Sequence, residues 1–177
     1  MKVEIDKKNF ELLLEYEQLK KRIRLLGIQL NVSYEQRVPV FIAILDGSFM
    51  FLADLMKEID MAAEVSFVKI ASYQGDRKSG EQKQLLGLDI TLTGRDVIIV
   101  EDIVETGETV LEVVDLIRKE QPASLAVCSL LLKPGKLLQP IAELAYVGFE
   151  IENDFVVGYG LDYNGLGRHL KDIYKAV

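Results

Sequence analysis

The sequence predicts an α/β protein in which helices flank a central, mostly parallel twisted sheet. Strand-like and helical segments alternate along the chain, which is the order typical of parallel sheets. Val38–Leu45 and Val97–Val100 are almost wholly apolar, as expected of strands buried on both faces. The 177 residues suffice for one domain with a full core, so we predict a single domain over 1–177.

The predicted elements follow from periodicity and turn residues. In chain order they are a helix over about Asp6–Leu30, a strand at Val38–Leu45, a helix from Phe49 to about Glu58 with Ser48 as its N-cap, strands at Val65–Ile70, Leu88–Leu92 and Val97–Val100, a helix over Val110–Lys119, and strands at Ser124–Leu132, Leu144–Phe149 and Phe155–Tyr159. The two chain ends fall outside the alternation. We therefore expect a core over about 36–150 and a small hood made by about 1–35 and 151–177.

Composition excludes several classes of protein. A net charge of −7 argues against nucleic acid as the main partner. No apolar stretch approaches the roughly 18 residues of a membrane span, and Met1–Asp6 lacks the apolar segment of a signal peptide. One cysteine permits no internal disulfide, which fits a cytoplasmic location.

The segment Val97–Thr109 carries the clearest functional signal. Four apolar residues run into Glu101, Asp102 and Glu105, and the turn Thr106–Thr109 then opens a helix. Ligands of open α/β sheets bind at the carboxyl ends of strands, where a helix N-terminus can hold phosphate. Carboxylates there can hold Mg²⁺ or sugar hydroxyls. The segment therefore predicts a phosphorylated sugar bound with a metal ion.

This motif differs from two common phosphate-binding loops. No Gly-Lys-Ser/Thr follows the turn, and the turn has one glycine rather than the three of a dinucleotide fingerprint. A plain strand–turn–helix with solvated acids, or a receiver-like acidic Mg²⁺ pocket, remains an alternative at this point.

Five segments together resemble the type I phosphoribosyltransferases, in particular their hypoxanthine-guanine branch. Val97–Thr109 resembles the phosphoribosyl-pyrophosphate signature, and Leu45–Phe49 resembles the pyrophosphate loop. Ser72-Tyr73, which opens the polar segment Tyr73–Gln84, resembles the mobile lid. Leu131–Pro134 resembles the purine-selective lysine segment, and Phe155–Asn164 the base-binding segment. Each segment alone has an ordinary structural explanation, but the five occur in the family's order.

The resemblance implies a Mg²⁺-dependent, cytoplasmic enzyme of purine salvage. It would convert hypoxanthine or guanine and phosphoribosyl pyrophosphate to IMP or GMP and pyrophosphate. Family members form dimers and tetramers, so a homodimer or homotetramer is expected. The alternative is a regulator with this fold that senses nucleotides and binds RNA, which would need a basic surface.

The resemblance also implies a role for each residue of these segments. Phosphoribosyl pyrophosphate would contact Asp46, Gly47, Glu101, Asp102, Glu105, Thr106, Gly107, Glu108, Thr109 and Arg168, with a non-proline cis peptide conceivable at the Asp46–Gly47 loop. Metal would be held at Glu101, Asp102 and Asp162. The purine would meet Ile103, Lys133, Phe155, Val156 and Asp162, and Ser72-Tyr73 would exclude water. Glu105, Lys133 and Arg168 are the implied catalytic residues.

The chain departs from the family pattern at two acids. Glu105 stands where the family usually has aspartate, the residue held to accept the proton of purine N7 or to hydrogen-bond it. Asp46 stands where the family is often basic or neutral, and a carboxylate beside pyrophosphate is unfavourable unless it points away or faces Mg²⁺. Lys136 stands near a position where the family often has arginine.

Overall fold

The computed structural model describes residues 2–73 and 82–177, and at 71–73 and 82–86 the backbone alone. In chain order its elements are β1 (Lys2–Ile5), β2 (Lys8–Leu14), α1 (Tyr16–Ser33), β3 (Val40–Ile44), α2 (Phe49–Met56), β4 (Glu64–Tyr73), β5 (Gln82–Leu86), β6 (Asp96–Val104), α3 (Glu108–Arg118), β7 (Ser124–Leu132), a 3₁₀ turn (Pro134–Lys136), β8 (Leu144–Glu150), β9 (Val156–Val157) and β10 (Ile173–Ala176).

The main sheet confirms the predicted fold class. Its strand order is β5-β4-β3-β6-β7-β8, and all neighbours are parallel except β4 and β5, which are antiparallel. One face packs against α1 and α2 in a core that includes Phe41 and Phe51. The opposite face packs against α3 in a second core that includes Ile99 and Val113. With both faces covered, the central strands are apolar throughout.

A small second sheet joins the two ends of the chain. Its strand order is β1-β2-β10-β9, and its core includes Phe10 and Tyr174. The prediction of one helix over about Asp6–Leu30 is wrong for its first part, since β1 and β2 form a hairpin there. Asp6 and Lys7 turn this hairpin with positive φ angles of 47° and 62°. The pairing of β2 with β10, about 160 residues later, is a long-range contact that local periodicity does not reveal.

The boundary predicted for the hood differs from the extent of the small sheet in the structure. The hood was expected to take in about 1–35, but α1 lies outside the small sheet. Its buried residues Leu19, Ile23 and Leu26 belong instead to the core of the main sheet.

Three local predictions also need correction. Ser48 occupies the N-cap position of α2 as predicted, but its hydroxyl makes no capping hydrogen bond and donates instead to the Ile44 carbonyl oxygen at 2.5 Å. Leu88–Leu92 is not a strand, although Leu92 is fully buried against the main sheet. Strand β9 is shorter than predicted and covers only Val156–Val157. None of the helices within 2–73 and 82–177 is long and apolar enough to cross a membrane.

Candidate active site

The carboxyl ends of β3, β6 and β7 bring the predicted site residues to one edge of the main sheet. The four residues Val97–Val100 are fully buried between β3 and β7. Glu101, also buried, follows them within β6, and Glu105 comes directly after the strand. On the neighbouring strand, the Lys133 N–H donates to the Val104 carbonyl oxygen at 2.9 Å, which fixes Lys133 at the same edge.

The acid pair Glu101 and Asp102 lies against its own backbone. The Asp102 N–H donates to Glu101 Oε1 at 3.0 Å, and the Ile103 N–H donates to Asp102 Oδ1 at 2.7 Å. Burial and the neighbouring Asp102 charge raise the pKa of Glu101 well above its ordinary value. Burial also raises the pKa of Asp102. A buried and a half-buried carboxylate side by side form a site that favours a proton, a cation or hydroxyl donors.

The turn after β6 is the segment predicted to bind phosphate. Gly107 occupies the N-cap of α3 with a φ of 87°, and a side chain there would meet Ile141 Cδ1 at 2.9 Å. The Thr106 hydroxyl bonds with the Glu108 carboxylate at 3.1 Å. Glu108 and Thr109 in the first turn of α3 are exposed. The turn therefore leaves the amino end of α3 open to an anion.

The loop after β3 is held tightly between two other parts of the site. The Leu45–Asp46 peptide bond is cis. A Cβ on Gly47 would lie 1.6 Å from Asp102 Oδ2, and a Cβ on Gly160 would lie 2.0 Å from the Gly47 carbonyl oxygen. Only glycine fits at these two positions, because backbone or carboxylate already fills the space.

The carboxylate of Asp46 is paired with a lysine of the adjacent strand. Lys69 Nζ in β4 lies 2.9 Å from Asp46 Oδ2, and the ammonium group of Lys69 lowers the pKa of Asp46. The side chain of this unusual acid is therefore neutralised locally. The sequence did not single out Lys69, because Lys69 comes close to Asp46 only through the pairing of β3 with β4, and local sequence does not reveal which strands pair.

Lys133, Glu105 and Lys136 form a charged cluster on the other side of β6. Lys133 is fully buried, and its ammonium group donates to Glu105 Oε1. Lys136 Nζ lies 3.1 Å from Glu105 Oε2. Burial opposes ionisation of Glu105, but the hydrogen bonds and charges of the two lysines outweigh it and lower the pKa of this carboxyl. Glu105 is thus held as a carboxylate.

The base-binding segment links the small sheet to the loop after β3. Arg168 pairs with Asp162 at 2.7 Å and donates to the Gly160 carbonyl oxygen at 2.6 Å. The ring of Phe155 is partly exposed and lies among Phe10 and Tyr163, with centroid distances of 6.4 and 5.7 Å.

Two more residues of the predicted purine site are wholly or partly buried. Val156 is buried in β9, and Ile103 in β6 is half-buried. Lys8 Nζ, which sequence inspection did not single out, lies 5.2 Å from the Phe155 ring centroid.

Direct contacts join the predicted residues into two groups. One contains Gly47, Asp102, Gly160, Asp162 and Arg168. The other contains Glu105, Lys133 and Lys136. The backbone of Ser72 and Tyr73 lies at the end of β4, paired with β5, while their side chains and residues 74–81 of the predicted lid lie outside the described residues.

A family comparison decides what kind of site this is. The model of the phosphoribosyl transferase domain matches residues 11–164, which include β6 with its acids, the turn after it and the segment up to Asp162. The chain belongs to the phosphoribosyltransferase family. The prediction of this family from five short segments is thereby confirmed.

Individual phosphoribosyltransferases resemble the chain over most of its length. A hypoxanthine-guanine phosphoribosyltransferase from Bacillus subtilis is 38% identical over 171 residues, which are 96% of this chain and 92% of that protein. A crystal structure of a hypoxanthine phosphoribosyltransferase from Staphylococcus aureus superposes with a TM-score of 0.86 at 38% identity, covering 94% of this chain and 91% of the other.

A further relative is much longer than this chain. The bifunctional protein TilS/HprT from Listeria innocua is 41% identical over 161 residues. Those residues are 90% of this chain, but the chain spans only a quarter of that relative's length.

Proposed function

We propose that this phosphoribosyltransferase transfers the phosphoribosyl group of phosphoribosyl pyrophosphate to hypoxanthine or guanine. The products are IMP or GMP and pyrophosphate, which makes the protein a purine-salvage enzyme. One observation carries the choice of a 6-oxopurine. The fully buried ammonium group of Lys133, held by Glu105, stands at the same sheet edge as the acid pair of β6.

Lys133 and Glu105 supply a complementary pair of contacts to the base. An ammonium group has donors only, so Lys133 suits the O6 acceptor of hypoxanthine and guanine and disfavours the 6-amino group of adenine. Glu105 is held as a carboxylate and therefore accepts the proton of N7 or a hydrogen bond from it. Phe155, Ile103 and Val156 would enclose the base by stacking, apolar contact and backbone contact, respectively.

The acids of β6 fit the ribose diol and a divalent cation. Glu101 and Asp102 would accept hydrogen bonds from the two ribose hydroxyls, which relieves the repulsion between the two neighbouring carboxylates. The described residues contain no group of three or more His, Cys, Asp or Glu placed to hold a metal. This suits Mg²⁺, which usually takes one or two carboxylates together with substrate oxygens.

Mg²⁺ would be held at Glu101 and Asp102, with Asp162 supporting a second ion. When bound, it neutralises charge that builds on the leaving pyrophosphate.

The remaining residues would hold the two phosphate ends of the substrate. The backbone of Asp46 and Gly47, together with Arg168, would bind pyrophosphate oxygens as their charge increases. Thr106–Thr109 would hold the 5′-phosphate at the amino end of α3. The Ser72-Tyr73 segment would exclude water from the ribose carbon during the reaction.

The proposal further includes a cytoplasmic homodimer or homotetramer that acts without nucleic acid or membrane. The single cysteine, Cys128, is a buried free thiol, and the net charge is −7. The acidic balance disfavours the alternative of an RNA-binding regulator.

A turnover assay with four bases tests the function. The protein, phosphoribosyl pyrophosphate and Mg²⁺ are mixed with hypoxanthine, guanine, xanthine or adenine, and nucleotide formation is followed. We expect turnover with hypoxanthine and guanine and none with adenine. A Lys133→Met variant should lose activity with both 6-oxopurines, whereas Lys119→Met, at an exposed position after α3, should not. No turnover with any base would overturn the proposal.

A further inference from the structure

We propose that Lys136 is a positioning residue for the purine step and that it acts by fixing the carboxylate of Glu105. This inference rests on the proposed function, because it assigns Lys136 to the reaction in which Glu105 serves the base. It also explains how this chain accommodates glutamate at a position where the resemblance leads one to expect aspartate.

The two oxygens of Glu105 have different lysine partners. Oε1 accepts from Lys133, which directly follows the strand β7 and has no exposed side-chain surface. Oε2 lies 3.1 Å from Lys136, whose side chain is 37% exposed. The inner lysine faces the proposed base position, and the outer lysine holds the other side of the same carboxylate.

The 3₁₀ turn keeps both lysines close in the chain to the same carboxylate. Lys133 is the N-cap residue of this turn and Lys136 is its last residue. The turn is closed by a hydrogen bond from the Lys136 N–H to the Lys133 carbonyl oxygen at 3.0 Å, and it begins with Pro134. The backbone separation of the two lysines is therefore fixed by the turn.

Glutamate needs this second contact more than aspartate would. Its longer side chain has one more rotatable bond, so more rotamer freedom is lost when the glutamate is ordered. With only Lys133 as a partner, the carboxylate could rotate about its bond to that lysine. Contact with Lys136 leaves one orientation, with Oε1 directed toward the purine side.

Lys136 also keeps Glu105 in place while Lys133 changes partners. When a 6-oxopurine arrives, Lys133 turns one of its donors to O6, and its bond to Glu105 competes with that contact. Lys136 remains bound to Oε2 throughout. An aspartate at this position would be one methylene shorter, so we expect it to keep its contact with the buried Lys133 and to lose the contact with Lys136.

Steady-state kinetics of a small variant set tests the inference. We expect Lys136→Met to lower kcat with hypoxanthine about tenfold, since the variant loses a hydrogen bond between two charged groups. The KM for phosphoribosyl pyrophosphate should stay within about twofold, because the acid pair and the phosphate turn are untouched. Lys136→Arg should restore most of kcat, and Lys119→Met serves as the matched surface control.

The Glu105→Asp background separates positioning from a general surface effect. In that background, Lys136→Met should change kcat less than about twofold, since a shorter acid has no bond to Lys136 to lose. If Lys136→Met behaves like wild type, or lowers kcat equally in both backgrounds, the inference is wrong while the proposed function stands. If the wild type turns over no base, the proposed function fails and the inference fails with it.

Discussion

Gly160 offers the sharpest test of how the loop after β3 is positioned. A Cβ at residue 160 would lie 2.0 Å from the Gly47 carbonyl oxygen, whereas real Cβ atoms keep at least 3.0 Å from such neighbours. Gly160→Ala therefore forces a movement of at least about 1 Å at one of the two residues. Gly160 is bound to Arg168 through both its N–H and its carbonyl oxygen, so either Gly47 or Arg168 must move. Both belong to the proposed pyrophosphate site.

The expected magnitude has a steric and a conformational part. A misplacement near 1 Å can cost about a hundredfold in rate, so we expect kcat/KM for phosphoribosyl pyrophosphate to fall by about that factor. Gly160 also has a φ of 100°, which L side chains rarely adopt. That backbone conformation adds about 1–3 kcal/mol of destabilisation, and overpacking against Gly47 adds about 1–3 kcal/mol more.

Gly94→Ala provides the matched control. Gly94 also has a positive φ, 72°, but a Cβ there would meet no atom within 4 Å. It should lose stability through the backbone term alone and keep kcat/KM. Initial rates and urea unfolding of the two variants and the wild type measure both effects. The reasoning is refuted if Gly160→Ala retains kcat/KM within about threefold, or if Gly94→Ala loses as much activity.

Three further predictions concern charge. Glu105→Gln should lower kcat at least about a hundredfold, because an amide is not a base. Full activity of this variant in a pH–rate profile would show that Glu105 does not act as the base. Hydrogen bonds from Lys57 and Tyr159 overcome burial and lower the pKa of Asp54, so its stabilisation is present above the unfolded pKa of about 3.9 and is lost as pH falls through the folded pKa. Asp54→Asn should therefore cost about 1.5–3 kcal/mol in urea unfolding at pH 7 and progressively less as the pH falls below about 3.9, and a cost that does not change with pH would contradict this. Chelation with EDTA should abolish nucleotide formation and excess Mg²⁺ restore it; undiminished turnover in EDTA would exclude the cation requirement.

Local patterns predicted the central strands well because burial on both faces leaves a clear sequence signal. The predicted strand Ser124–Leu132 matches β7 residue for residue, and Val97–Val100 lies within β6. The N-terminal hairpin was not predicted, because its local sequence carries no such signal. Its strand β2 owes its conformation to pairing with β10 at the other chain end, and Leu12 and Leu14 fit a strand as well as a helix.

The site shows the same division between local and long-range information. Segments at the carboxyl ends of strands could be found individually, because each carries its own motif. Their contacts could not, since Asp46 meets Lys69 only because β3 lies beside β4, and Gly47 meets Gly160 only through the return of the C-terminal segment.

Charge compensation around the site indicates where the cation is required. Asp46 pairs with Lys69, Asp162 pairs with Arg168, and Glu105 pairs with two lysines. Among the described side chains, the buried Glu101 and the half-buried Asp102 form no such ion pair, and burial raises the pKa of both. A protein with a net charge of −7 would repel a pyrophosphate ester unless positive charge were supplied locally. Because the lysines and the arginine named above are already paired with carboxylates, the uncompensated negative charge lies at Glu101 and Asp102, where the Mg²⁺ of the proposed function would be held.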